Sequence, residues 1–333
     1  FWNVFPEPTI PELWPNCNNK KNYPWEKTVP TIATELKELT KIWEVGIKNR
    51  EQAHERGIFK WDDLRLKPNI IGINGEKQAK TIEAIININK DSTSDKVLPN
   101  TIEGDVSGWK KKPKLEFFVD FETVNGIDDD FTAFPYLGSN SLIFMIGCGY
   151  EKLDGSWKIK VFTSKNLSIK DESKIIDEWI TYMRNVTDKI LGIGAELPRI
   201  YHWTHAEKTF LKKAISNRRK ISPEHSTEWP ILAWSDLCEV ARAAPLVVKG
   251  SFGFGLKQIA KNLSKHGLTE TDWEEGPGDG LGAMVGVWHC EKVSKEIQED
   301  MISLDYMQGI EKYNQVDCKV MWELINYLRK NHI

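Results

Sequence analysis

The run Leu115-Glu116-Phe117-Phe118-Val119-Asp120-Phe121-Glu122-Thr123 constrains this chain more than any other stretch. Apolar, aromatic and β-branched residues dominate it, a Lys/Pro-rich segment precedes it, and Asn125-Gly126 follows closely, which together predict a buried strand. Two acids interrupt the apolar run. Side chains alternate faces along a strand, so Asp120 and Glu122 point to the same side. Two carboxylates on one face at the end of a central strand repel each other unless a cation sits between them. An isolated D-x-E is commonly a strand end reaching solvent, so the weight falls on acids elsewhere in the chain.

Length bounds the rest. The 333 residues, 40% of them hydrophobic, with a mean hydropathy of −0.44, suit a soluble chain of roughly two domains. Because the sequence opens on Phe1 and not on Met, it is expected to be a fragment with something upstream. No apolar run approaches the roughly 18 residues of a membrane span, and no signal-peptide core opens the chain. The expectation is therefore a cytoplasmic, intracellular protein with no membrane partner. Five cysteines (Cys17, Cys148, Cys238, Cys290 and Cys318) are odd in number, scattered, and never in a C-x-x-C pair. They read as reduced thiols, which excludes a disulfide framework or a zinc site. A formal charge of −3 neither announces a nucleic-acid binder nor excludes one, since a nuclease gathers its acids in one cleft and can ring it with lysines.

Residues 1–30, rich in Pro, Asn and Trp and without periodicity, predict an extended arm or the tail of a missing upstream domain. Residues 31–90 predict a small all-helical module. Ile32, Leu36, Leu39, Ile42 and Trp43 recur at helical spacing, Val45-Gly46-Ile47 turns into a helix over 48–56, and Ile70-Ile71-Gly72-Ile73-Asn74-Gly75-Glu76-Lys77-Gln78-Ala79 leads a helix through Ile88. The latter stretch resembles a helix-hairpin-helix, and the former is a degenerate echo of it. Gly72 and Gly75 would free the turn to expose backbone N–H groups at a helix N-terminus, where a nucleic-acid phosphate can sit, with Lys77 beside it. A small helical packing unit explains the same residues equally well. Residues 91–114 predict a polar linker with a basic end.

From Leu115 onward the pattern predicts an α/β domain with a mixed sheet flanked by helices. After the first strand come an acidic loop (Asp128-Asp129-Asp130), strands over 141–150 and 157–163, a helix over 171–189, and a strand over 199–203. Helices are expected over 205–217, 234–243, 255–263 and 304–330. The last carries Tyr313 and Asp317 at i, i+4 beside the apolar stripe of Ile310, Val320, Met321, Leu324 and Leu328. An Asp on the buried side of a helix is costly unless paired or bound to metal. Between strand and helix lies Tyr201-His202-Trp203-Thr204-His205-Ala206-Glu207, where Glu207 opens a helix and could by itself be a first-turn carboxylate favoured by the dipole.

This ordered set, D-x-E on a first strand, an acid at a later strand-to-helix junction and Y-x-x-x-D on the last helix, resembles the DEDD exonucleases of the RNase H-like superfamily, in their Tyr-containing subgroup. Residues 115–333 are similar to the RNase H-like domain of bacterial nucleases described as RecB-family, in which phrases close to Val119-Asp120-Phe121-Glu122-Thr123, Tyr201-His202-Trp203, Gly255-Leu256-Lys257 and Tyr313-Asn314-Gln315-Val316-Asp317-Cys318 recur. The resemblance implies a 3′–5′ exonuclease acting on nucleic acid, DNA ahead of RNA, with two Mg²⁺ or Mn²⁺ ions. Asp120, Glu122 and Asp317 would hold one ion, Asp120 and a water held by Glu207 the other, and Tyr313 would orient the attacking water. It also implies a possible upstream nuclease domain or helicase partner. Such relatives carry cysteines for an iron–sulfur cluster upstream, but Cys17 alone is no basis for one here. Where the family's second motif has Asp after an Asn, this chain offers Glu207, with Asp236 as its rival. Lys249 and Lys257 are candidate phosphate contacts, and equally plain surface lysines; His202, His205 and His289 lack ligand spacing and read as packing or hydrogen-bonding residues. Two alternatives stay open: a non-catalytic nucleic-acid-binding module with the same fold, and a structure-specific endonuclease using the same metals.

Overall fold

The structure, a computed structural model, describes residues 2–18, 25, 28–90, 95–124, 141–221, 229–273 and 280–333. The expected Asn125-Gly126 strand end, the acidic loop over 128–130 and the start of the linker at 91–94 lie outside the described residues.

The chain divides into two compact units, one of residues 1–104, 241–268 and 331–333, the other of residues 105–240 and 269–330. The first unit opens with an arm that is anchored around residues 14–17. Trp14 is buried, the Cys17 N–H donates to Thr40 Oγ1 at 3.1 Å, and Arg50 Nη1 donates to the Pro15 carbonyl at 3.0 Å. Helices α1 (Thr28–Glu35), α2 (Ile47–His54) and α3 (Glu76–Lys90) follow. The periodic run over 32–43 is not one helix: Lys37 takes φ 53°, and a short 3₁₀ turn, Leu39–Lys41, follows it. Leu36, Leu39 and Ile42 are buried all the same, so the apolar pattern marked core residues across a break it could not reveal.

The expected 91–114 linker is corrected by strand β1 (Val97–Leu98), which makes residues 97–98 part of the first unit. Further along, Ile102 and Trp109 are buried, so this stretch is held in place by apolar contacts despite its polar composition.

The second unit is built on a five-stranded mixed sheet, which bears out the α/β expectation. Strands β2 (Phe117–Val124), β3 (Leu142–Glu151) and β4 (Trp157–Thr163) form an antiparallel meander. After α4 (Ile169–Leu191), β5 (Ile200–His202) pairs parallel with β2; after α5 (Ala206–Ile221), β6 (Trp234–Asp236) pairs parallel with β5. The strand order β4-β3-β2-β5-β6 puts the acid-bearing β2 at the centre. Residues 234–236, expected to begin a helix, are instead strand, and α6 (Leu237–Ala243) starts only after Asp236. In the first unit β7 (Val247–Val248) pairs antiparallel with β1, and α7 (Leu256–Lys265) follows. Helices α8 (Gly280–Ile297) and α9 (Asp305–Asn331) complete the fold.

Alternation along β2 sorts its side chains. Phe117, Val119 and Phe121 pack with Ile176, Trp179 and Met183 of α4 and Leu211 and Ala214 of α5. On the opposite face Val124 joins Met145 of β3, Val287 of α8, and Met307 and Ile310 of α9. Asp120 and Glu122 therefore project to the α9 side, as their spacing required.

Candidate metal centre

Two features of neighbouring elements bring α9 onto the acids of β2. Asp120 lies opposite Gly147 of β3. A Cβ at Gly147 would come within 2.1 Å of Asn314 Oδ1 and 2.8 Å of Cys318 Sγ, so only glycine lets α9 approach this closely. The helix is then fixed at two points. Near the acids, Asn314 Nδ2 donates to Asp120 Oδ2 at 2.8 Å and to the Asp120 carbonyl at 3.2 Å. Towards its C-terminus Arg329 forms a buried ion pair with Glu116 at the strand's other end, and its Nε donates to the Trp109 carbonyl at 2.8 Å.

Held this way, Asp120, Glu122 and Asp317 each offer a carboxylate oxygen, and the three oxygens lie within 4.8 Å of one another. Glu122 and Asp317 are buried, whereas Asp120 keeps some contact with solvent. The Asp120 carboxyl is pushed well above the usual carboxylate range, first by burial of its surroundings and then by the charges of Asp317, Glu122 and Glu207; Asn314's hydrogen bond opposes them. Like charges gathered in this way favour either a proton or a cation among them. The register also shifts between Glu122 and Thr123, a β-bulge of the kind that re-aims side chains at the end of a strand.

Glu207 enters from β5. Thr204 takes φ 68° in the turn out of the strand, and α5 opens with Glu207 buried in its first turn. Its Oε2 lies 3.2 Å from Nδ1 of the fully buried His202. Glu207 is not one of the three mutually close ligands, but its charge acts on Asp120. Its rival, Asp236, has another occupation: Oδ1 accepts from the backbone N–H groups of Thr204 (3.0 Å), Cys238 (2.9 Å) and Glu239 (3.3 Å), fixing the β5 turn and the start of α6. That arrangement commits Oδ1 of Asp236 to the backbone of the turn and of α6.

Tyr313 is buried on α9 and hydrogen-bonds Asp317. Its phenol is driven far up from its ordinary value, first by burial and then by Asp317, Glu122 and Asp120. Its hydroxyl is a hydrogen-bond donor at the edge of the three acids.

Lys249, Lys257, Gly72, Gly75 and Lys77 belong to the first unit, not to the compact unit that holds the acids. Gly72 takes φ 73° in the turn before α3, and a Cβ there would meet Gln52 Oε1 at 2.2 Å, which accounts for glycine. Gly75 and Lys77 are exposed at the start of that helix. In the echo, Glu44 takes φ 58° three residues before α2. Sequence reasoning missed Asn314 and Gly147 as parts of the site. The signals were present: a polar residue on the buried stripe of α9, and a glycine inside an otherwise apolar strand.

An all-oxygen set of three converging carboxylates fits a hard divalent cation such as Mg²⁺ or Mn²⁺, and lacks the nitrogen or sulfur donors that softer metals prefer. Compared with models of protein families, with curated proteins and with solved structures, the chain finds no match in any of the three.

Proposed function

We propose that this protein is a metal-dependent nuclease, a DEDD-type 3′–5′ exonuclease with an RNase H-like second unit, acting on DNA ahead of RNA. The observation that carries the reading is the convergence of Asp120, Glu122 and Asp317 within 4.8 Å, with the Asp120 carboxyl pushed up by burial and then by its acidic neighbours. The central place of β2 in a mixed sheet supports it, as does Tyr313 one helical turn from Asp317. So does the resemblance of the motifs to those of RecB-family nucleases.

Asp120, Glu122 and Asp317 would hold one divalent ion, and Asp120 with Glu207 a second. Bound ions of this kind activate water and neutralise the charge that builds on a phosphodiester during hydrolysis. The chain's own residues do the rest. Asn314 fixes the rotamer of Asp120 by occupying Oδ2 and leaves Oδ1 for a ligand. His202 orients Glu207 through Nδ1. Tyr313, whose hydroxyl bonds Asp317, stands beside the acids and can align a water or a phosphate oxygen there. The exposed Gly75 and Lys77 at the N-terminus of α3 are suited to a phosphate, so the first unit is read as a nucleic-acid-binding module.

The deciding experiment uses 5′-labelled single-stranded DNA and RNA with Mg²⁺, Mn²⁺ or EDTA. A ladder that needs metal is the expected result. One discrete cut would make the enzyme an endonuclease, and intact substrate in every metal would sink the nuclease reading.

A further inference from the structure

One line down α9 leads from solvent to the acid cluster. At about 100° per residue, Tyr306, Tyr313 and Asp317 fall within about 40° of one another around the helix. Exposure falls along that line, from 47% at Tyr306 to 8% at Tyr313 and 6% at Asp317. The inner two belong to the site, since Asp317 is one of the three converging acids and Tyr313 hydrogen-bonds it. Tyr306 stands about 10 Å nearer the helix N-terminus. Its ring is seated against α8, where a Cβ at Gly286 would run into it. An aromatic surface is thus braced from one side and left open on the helix face that carries Asp317.

Between the two tyrosines the helix is bare. Gly309 lies there, turned about 40–60° to one side of their line. Its φ is not positive, so its conformation does not call for glycine. Packing does not call for it either, because a Cβ at Gly309 would meet nothing within 4 Å among the described residues. Gly147 and Gly286 differ in this respect, since a Cβ at each collides with a neighbouring side chain. Inside a helix glycine is a costly choice, and one reason to keep it is the close approach of a ligand to the main chain.

A single strand of nucleic acid supplies the complement to both features: a base that stacks on a ring, and a backbone that crosses an open strip of helix. The distance from Tyr306 to Tyr313 spans about three nucleotides at roughly 3.4 Å each. We propose that Tyr306 and Gly309 form a subsite for single-stranded nucleic acid, in which Tyr306 stacks on a base and Gly309 lets the sugar–phosphate backbone pass towards the acids. Only the terminal nucleotide lies 3′ of the bond that an exonuclease cuts, so the stacked base lies on the 5′ side. The proposal rests on the nuclease reading and adds to it the single-stranded class of substrate.

The test is hydrolysis by the full chain, in Mn²⁺, of a short 5′-labelled single-stranded DNA and of the same DNA with abasic residues upstream of the scissile bond. Losing one stacked base weakens binding by about 5- to 150-fold. Tyr306→Leu should therefore raise KM by that factor with kcat held, and Tyr306→Phe should restore KM. On the abasic DNA, Tyr306→Leu and wild type should coincide. Gly309→Ala should raise the urea midpoint, because alanine is the better helix former, and yet raise KM; Gly309→Leu should raise KM further. A purely structural glycine would not yield a more stable enzyme that binds its substrate less well. A wild-type KM in Tyr306→Leu, or an equal loss on abasic DNA, overturns the stacking site, and an unchanged KM in both Gly309 variants overturns the backbone passage. Metal-dependent hydrolysis by wild type would leave the nuclease reading standing in each case, whereas wild type that cleaves nothing would overturn both.

Discussion

Asp317 and Tyr313 share a helix turn and a hydrogen bond, yet their chemistry assigns them different work. Asp317 contributes charge to a group whose repulsion a cation relieves. Replacing it with Asn should therefore abolish Mn²⁺ binding in calorimetry together with hydrolysis. Tyr313→Phe keeps the ring and its packing and deletes one donor. A positioning contact of this kind is typically worth ~10²–10⁴ in rate, so this variant should bind metal like wild type and turn over that much more slowly. Equal metal affinity in Asp317→Asn would remove that residue from the centre; full activity in Tyr313→Phe would reduce the tyrosine to helix packing. These acids were legible because carboxylates inside apolar runs violate the local pattern, and such violations concentrate at functional sites. Asn314 and Gly147 left signals too, but what those signals mean depends on which residue faces them between β3 and α9, and no spacing within one element records that.

At the scale of elements, the separation between β3 and α9 sets the centre. Gly147→Ala would place a methyl where Asn314 and Cys318 now sit. Overpacking of this sort costs about 1–3 kcal/mol. A lowered urea midpoint is expected, together with weaker Mn²⁺ binding, because α9 carries Asp317 and must give way. A variant with wild-type stability and metal affinity would show that the helix has slack the structure does not suggest. The same packing is reinforced at Arg329 and Glu116, whose side chains are 7% and 5% exposed. Removing one partner from such a pair strands a buried charge. Long periodic elements, β3, β4, α4, α5 and α9, were predicted close to their observed bounds. The misses have physical causes: β6 is too short to show alternation, and α8 hides behind Gly280, Gly282 and Gly286, which weaken helix propensity while Gly286 makes room for Tyr306.

At the scale of the whole chain, the first unit carries its own pH response. His54 packs at a tilt against Trp14 and Phe59 with ring centroids 4.7 and 4.8 Å away, its Nε2 is buried without a hydrogen-bond partner among the described residues, and burial with Arg50 nearby lowers its pKa to about 4. The unfolded chain takes up that proton near pH 6.5, before the folded one does. Stability from this site is thus complete above about pH 6.5 and lost as pH falls towards about 4, by an amount that the imidazole's partial exposure keeps modest. His54→Phe retains the aromatic packing and cannot titrate, so its urea midpoint should fall less than wild type over that window. Identical pH profiles would show that the ring's surroundings tolerate the charged form.

The pairing of β1 with β7 also governs how the protein comes into being. Val97 meets Val248 across about 150 intervening residues, a closure whose entropy must be met before the contact gives anything back. During synthesis the leading unit therefore waits, incomplete, until the ribosome has delivered 241–268, and by then β2 to β6 have already emerged. Neither unit can be cut free at a single point in the chain. Expression of residues 1–104 alone would yield a polypeptide missing β7 and α7, and a fragment starting at 105 would carry those two elements without the strand and helices they belong with.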